Sequence, residues 1–518
     1  MNHLEELQTL VLLGTDRAPV ADSLLIFWQE QGLNNSELPE KIVAQALVFH
    51  RQWQRAGFPL PVWTAQLQPA PIQETEPECS VESARCLQDI LDGKYPDALP
   101  EWIRWLQQAQ QVLPRQTLPL LLQKCLQDPA LWETIQTAIG IRGTWLLKQH
   151  PEWRKLADEA AEPGAWNTTT GVLRPDLLRK LRIQDAALGR SLVQSTWAEE
   201  DPAQKAQLLA ALSPSLGSAD EAFLEECLQE RRKETRQMAA ELLACIPNSA
   251  LLGRYRDYLH ACIVVSGQKL SLELPDDAPE AWRKDGVEIS GKSPFTLNQR
   301  SSWLFQLIRR LPPSDWQRYW GLSPETTISL FAQQDREESW VQALTDACLL
   351  HHDLSWQEAL ADWWLNNENA SSWKTTAGRH LLQQLPEASL HKLMVPLLQK
   401  RQYLLEDDQA ATFVLCANAH TWSDELTLAL LHPFKRFLAG GENPFWNIWH
   451  YARLLKVLAY QCNPGLINQL NSDWTIEAAL GQRWQAEIDR MLTVIQFRAK
   501  MIRTFSHRSG AKISVHFC

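Results

Sequence analysis

The chain has 518 residues, 45% hydrophobic and 21% charged, with a formal net charge of −11. That length exceeds one ordinary core, so two to four helical layers or subdomains are expected, and the composition is that of a globular protein, not a disordered one. The acidic balance repels a phosphate backbone and argues against nucleic-acid binding by the molecule as a whole.

The opening "MNHLEELQTLVLLGTDRAPV" has no basic n-region and no small-residue cleavage site, so it reads as a soluble helix, not a signal peptide. Gly14 can end this helix, Asp16 can cap the next segment and Pro19 fixes the exit. No window of about eighteen residues is free of charge, so no membrane span is expected. The ten cysteines form no CxxC pair, and several fall on apolar helix faces. They read as reduced core thiols of a cytoplasmic protein, with neither a zinc site nor a disulfide frame.

Further on, "LPLLLQKCLQDPALWETIQTAIG" sets Asp128-Pro129 between two apolar runs, and "RSLVQSTWAEEDPAQKAQLLAALSPSL" repeats the device with Asp201-Pro202. Proline suits the first turn of a helix. In "IRGTWLLKQHPEW", Gly143 permits close backbone contact while Trp145 and Trp153 pack.

The most regular stretch is "DEAFLEECLQERRKETRQMAAELLACIP", Asp220 to Pro247. Phe223, Leu224, Cys227 and Leu228 form one apolar stripe at helical spacing; Thr235, Met238, Ala239, Leu242, Leu243 and Ile246 form a second. Asp220 can cap the first helix and Pro247 ends the second. The spacing resembles a HEAT-type repeat, with Glu230 and Arg236 where that family pairs an acid and an arginine from turn to turn. Arg231, Arg232 and Lys233 depart from its usual proline-rich turn. Later runs, "ISLFAQQDREESWVQALTDACLL" and "QYLLEDDQAATFVLCANAH", share the pattern at irregular periods. The expected fold is therefore all-α: a degenerate HEAT-like α-solenoid or stacked helical hairpins.

One non-helical insert interrupts this pattern near 268–298. Leu270, Leu272 and Leu274 alternate, and Val287 and Ile289 follow after prolines, acids and glycines, which predicts two short strands or extended arms. The main boundary is placed there. The expected domains are a Trp-rich helical domain (1–155), HEAT-like repeats (156–262), an extended insert or linker (263–300), a second helical domain (301–505) and a basic tail (506–518).

Chemical motifs are few. "GVEISGKS" matches a P-loop from Gly286 to Gly291, Lys292 and Ser293, but no buried strand precedes it and Pro294 opposes the helix that must follow. His351, His352 and Asp353 read as the end of a helix rather than a metal cluster, because adjacent helical residues point apart. Paired acids such as Glu199-Glu200 and Asp407-Asp408 fit turns, though general acid/base carboxylates leave no local signature. The 24 tryptophans read mainly as filler between imperfect repeats, while Trp446, Trp449 and Tyr451 could instead form a peptide- or sugar-binding row. Arg498, Lys500, Arg503, Arg508 and Lys512 read as a solvated terminal tail, with nucleic-acid binding as a weaker alternative. No cofactor and no metal is expected.

Through "LVLLGTDRAP", "LPEWIRWLQQA", "IGIRGTWLLKQHPEW", "STWAEEDPAQKAQLLAAL" and the Asp220–Pro247 stretch, the chain resembles an uncharacterised bacterial family known only as a domain of unknown function. Genes of that family tend to stand beside a MoxR-type AAA+ ATPase, a von Willebrand factor A-domain protein and a SWIM zinc-finger protein. The resemblance implies a non-catalytic scaffold or adaptor that binds protein partners, the first two among them. The alternative is an enzyme on an α/α scaffold, acting on a glycan through paired carboxylates and Trp platforms. The candidate partner-binding residues are Arg17, Arg142, Arg231, Arg232 and Arg236. An arginine fork there can be structural or can receive a partner's carboxylate.

Overall fold

The computed structural model describes residues 3–17, 20–30, 32, 39–56, 71, 73–156, 162–171, 173–267, 269–289, 298–334, 338–367, 369–400, 409–439, 448–472, 474–476 and 481–506. Chain contacts separate two compact units, Met1–Ala70 and Pro71–Cys518. Among the described residues the structure is helical throughout apart from one two-stranded hairpin and an isolated bridge, as the all-α reading expects.

The first unit holds α1 (His3–Leu13), α2 (Asp22–Glu30) and α3 (Pro39–Ala56). Among the described residues its core is Leu7, Leu10, Leu24, Trp28, Ile42, Val43 and Ala46. Gly14 ends α1 in the left-handed region at φ 81°. The Thr15 hydroxyl donates to Glu40 at 3.0 Å, fastening the following turn to the head of α3.

The second unit opens with α4 (Val81–Leu91), α5 (Leu99–Gln108), α6 (Leu118–Cys125), α7 (Pro129–Ile135) and α8 (Gly140–Gln149). Asp128 caps α7 and Pro129 opens it. These helices share a core with Phe497, Met501 and Phe505 from the far end of the chain.

Then come α9 (Leu173–Gln184), α10 (Ala186–Thr196), α11 (Lys205–Ala210), α12 (Glu221–Cys227), α13 (Lys233–Cys245) and α14 (Ala250–Cys262). The hairpin β1 (Ile263–Ser266) and β2 (Lys269–Leu272) is followed by α15 (Glu280–Lys284), α16 (Gln299–Ile308), α17 (Pro313–Trp320), α18 (Pro324–Ala332) and α19 (Ser339–His351). The rest are α20 (Leu354–Asn366), α21 (Thr376–Gln383), α22 (Glu387–Lys400), α23 (Ala410–Ala417), α24 (Asp424–Leu438), α25 (Ile448–Gln461), α26 (Ile467–Leu470) and α27 (Gly481–Ser506).

Helices two apart in sequence pack side by side. One row runs α19, α21, α23, α25, α27, and a second runs α18, α20, α22, α24. Neither row can bury its apolar face alone, so stacked hairpins generate one continuous core from Trp166 to Ile495. Tryptophans fill it: Trp166, Trp316, Trp356, Trp364 and Trp422 are fully buried.

The insert departs from expectation. β2 carries Leu270 and Leu272, but its partner is the preceding Ile263–Ser266, in register Ile263 to Leu272. Val287 and Ile289 form no strand. Their segment is held by side chains of α16: Gln306 accepts from the Glu288 amide at 2.8 Å, and Trp303 and Gln299 donate to the Ile289 carbonyl. Nor does the insert divide the core, since Leu270, Trp282 and Val287 belong to the same cluster as the helices on either side. The contacts divide the chain after Ala70 instead.

Candidate functional site

The arginines singled out above stand in three separate local settings. Arg17 lies exposed on the turn after α1, beside the exposed aliphatic end of that helix. Arg142 stands at the head of α8, where its guanidinium donates to Glu78 at 2.8 Å. The amides of Ile141 and Arg142 donate to Glu74 at 2.7 and 2.9 Å, so this helix end is capped by a carboxylate and Arg142 works as a brace. Gly140 there has φ 65°, and a Cβ would stand 2.6 Å from the Glu74 carboxylate.

Arg231, Arg232 and Arg236 share the α12–α13 turn. The expected Glu230–Arg236 side-chain pair is not made. Arg236 reaches back along α13 and donates to the carbonyls of Glu230 and Arg231 at 2.9 and 2.8 Å. The Glu230 carboxylate instead accepts from the Trp197 indole at 2.9 Å and from Lys205 at 2.8 Å, with that ammonium 4.8 Å from the Trp197 ring centre. Arg231 and Arg232 are exposed and line a groove of about 600 Å³ with Lys205, Glu226, Glu230 and Thr235.

Asp220 was expected to cap α12. Its carboxylate is buried and turned to Arg182, which grips it with two bonds of 3.0 Å each, while Arg190 adds a third at 3.2 Å. It also accepts from the Gly217 amide at 3.0 Å, closing the turn ahead of α12. A bidentate guanidinium outcompetes a single helix-end amide for a carboxylate.

A second groove, about 690 Å³, runs between α18, α20 and α22, with Leu393 and Leu397 beside Glu325, Glu358, Asp362 and Lys392. Lys392 at 2.7 Å and the Ser389 hydroxyl at 2.5 Å hold the Glu358 carboxyl below the usual carboxylate range. A carboxyl kept ionised this way is unsuited to donate a proton to a glycosidic oxygen.

A third cleft, about 800 Å³, includes Arg256, Asp315, Arg318, His351 and His352. Asp315 is paired with Arg256 and Arg318, both at 2.7 Å. His351 ends α19 and bonds the Arg310 carbonyl at 2.9 Å; burial pushes its pKa below the ordinary imidazole value. His352 takes the left-handed conformation and Asp353 caps α20. The triplet is thus a helix boundary, and no group of three or more His, Cys, Asp or Glu able to hold a metal ion occurs among the described residues.

Gly286 of the P-loop-like run closes α15 at φ 80°, where a Cβ would lie 2.8 Å from Ala240. Gly291, Lys292 and Ser293 lie outside the described residues, as do Trp446, Arg508 and Lys512. Tyr451 is buried and stacked on Phe434 at 5.0 Å, so it cannot serve an exposed aromatic row. Arg498 is not in a tail either: it is buried in α27 and bonded to Glu101. The nine described cysteines are free thiols, and burial pushes several upward, Cys79, Cys125, Cys245 and Cys462 to about 11 and Cys348 to about 12. Such thiols are unreactive at neutral pH. No described helix is long and apolar enough to cross a membrane.

The chain belongs to the family of unknown function DUF5691, whose model matches residues 6–505. No curated protein and no solved structure matches it.

Proposed function

We propose that this member of the family is a non-catalytic helical scaffold that binds protein partners, and that a MoxR-type AAA+ ATPase and a von Willebrand A-domain protein are among them. The observation that carries the reading is the outward aliphatic set of the first unit. Leu12 is 85% exposed, Val48 59%, Ile26 57% and Leu13 53%, in a unit whose core among the described residues is the set of seven named above. A unit this small gains little stability from its own core. Exposed aliphatic side chains on all three of its helices are offered to another protein, and Arg17, on the turn that follows Leu12 and Leu13 in the chain, supplies a charged anchor.

The groove between α18, α20 and α22 offers a second surface of the same kind. Pro396 lies inside α22, where it removes the amide that would donate to the Lys392 carbonyl four residues back. A tagged pull-down from native cytoplasm at moderate salt, with and without ATP, tests the reading. Recovery of the ATPase or the A-domain protein by the wild-type chain supports it, and a partnerless chain removes it.

A further inference from the structure

We infer that the groove at the head of α13 binds a phosphate monoester group. The inference does not depend on the scaffold reading and holds whether or not a protein partner exists.

α13 begins at Lys233, thirteen residues long, and no side chain caps it. The first amides of such a helix point out of its end without a carbonyl to accept them, and the peptide dipoles add partial positive charge. At α8 and α14 a carboxylate and a hydroxyl close that end, Glu74 and Ser249 respectively. Here the groove takes the cap's place.

Thr235 supplies the independent sign. It lines the groove, it is 1% exposed, and its hydroxyl has no hydrogen-bond partner. A hydroxyl withdrawn from water without a partner is costly, and a ligand oxygen would satisfy it. Arg231 and Arg232 stand exposed at the rim. Arg236 occupies the carbonyls of Glu230 and Arg231, which removes two acceptors that would compete for these guanidinium groups.

The charges agree. The lining holds Lys205, Arg231 and Arg232 against Glu226 and Glu230, and Glu230 is already engaged by Lys205 and Trp197. Three cations face two carboxylates, one of them already taken up. Two guanidinium forks, the open amides and one hydroxyl match the three terminal oxygens of a phosphate monoester.

The test is calorimetric titration of the full chain with inorganic phosphate and, separately, with a phosphoserine peptide and its unphosphorylated form, at fixed ionic strength. Saturable binding is expected, weakened at least about tenfold by Thr235→Val and lost in Arg231→Ala/Arg232→Ala. Thr235→Val keeps the shape and removes only the hydroxyl, so its melting temperature should not fall. Equal affinity for phosphate and phosphopeptide assigns the ligand to small phosphates; tighter peptide binding assigns it to a phosphorylated protein. Absence of saturable heat with every phosphate, or wild-type affinity in both variants, overturns the site.

Discussion

Arg498 and Glu101 are joined by two charge-assisted bonds, of 2.5 and 2.8 Å, across 397 positions of sequence. Arg498 also donates to the carbonyls of Ala459 and Cys462, at 2.7 and 2.8 Å. One buried guanidinium thus ties α27 to α5 on one side and to the end of α25 on the other. α27 is thereby fixed to both neighbours.

Removing one partner of a buried pair leaves the other charge without compensation. Arg498→Met should therefore cost ~3–5 kcal/mol in urea denaturation. Glu101→Leu/Arg498→Met should recover part of that loss, leaving the penalty of the two carbonyls.

Asp346 gives a pH signature. Burial raises its pKa above the ordinary 3.8, against the opposing influence of Arg309 and the bond from Gln342. The unfolded chain then loses this proton before the folded one does. Stability falls as pH rises from 3.8 through the folded pKa and stays lower beyond it. Asp346→Asn should melt higher than wild type at neutral pH and equally well under strongly acidic conditions.

His351, on the same helix, acts in the opposite sense. Burial lowers its pKa below 6.5, so its contribution is complete above that value and is lost as pH falls through the folded pKa. His351→Gln should flatten the melting profile on the acid side of 6.5.

Two glycines separate close packing from open space. A Cβ on Gly378 would stand 2.6 Å from both the Ser372 carbonyl oxygen and the Trp373 Cα, backbone atoms that cannot step aside. Gly378→Ala should cost about 1–3 kcal/mol. Gly253, inside α14 with nothing within 4 Å, should gain about 0.5–1 kcal/mol on changing to Ala. Thermal melts of the two variants check both signs.

The helical stack is legible in the sequence because it rests on local period and punctuation. Phe223, Leu224, Cys227 and Leu228 repeat at helical spacing and are all buried, and Asp128-Pro129 marks a helix start that forms as expected. What escapes the sequence is pairing at a distance. Arg182 and Asp220 lie 38 positions apart, and nothing local distinguishes Asp220 from an ordinary helix cap. Arg498 sits in a run without acidic neighbours and reads as solvated, because Glu101 arrives only with the tertiary fold. Ile263–Ser266 follows α14 without a break and is apolar enough to continue it, so the true partner of β2 is hidden. Thr235 is recognisable as inward-facing, but its unpartnered hydroxyl is a property of the packed groove alone.

The most direct test of the scaffold reading compares wild type with Leu12→Ser/Leu13→Ser/Val48→Ser in the pull-down. These side chains are more than half exposed, so the substitutions should leave the melting temperature nearly unchanged. Wild type should retain the AAA+ ATPase or the von Willebrand A-domain protein, and the variant should release it. Undiminished capture by a folded variant would show that this surface is not the one used, and a wild-type chain that retains neither partner would show that the protein is not a scaffold for them.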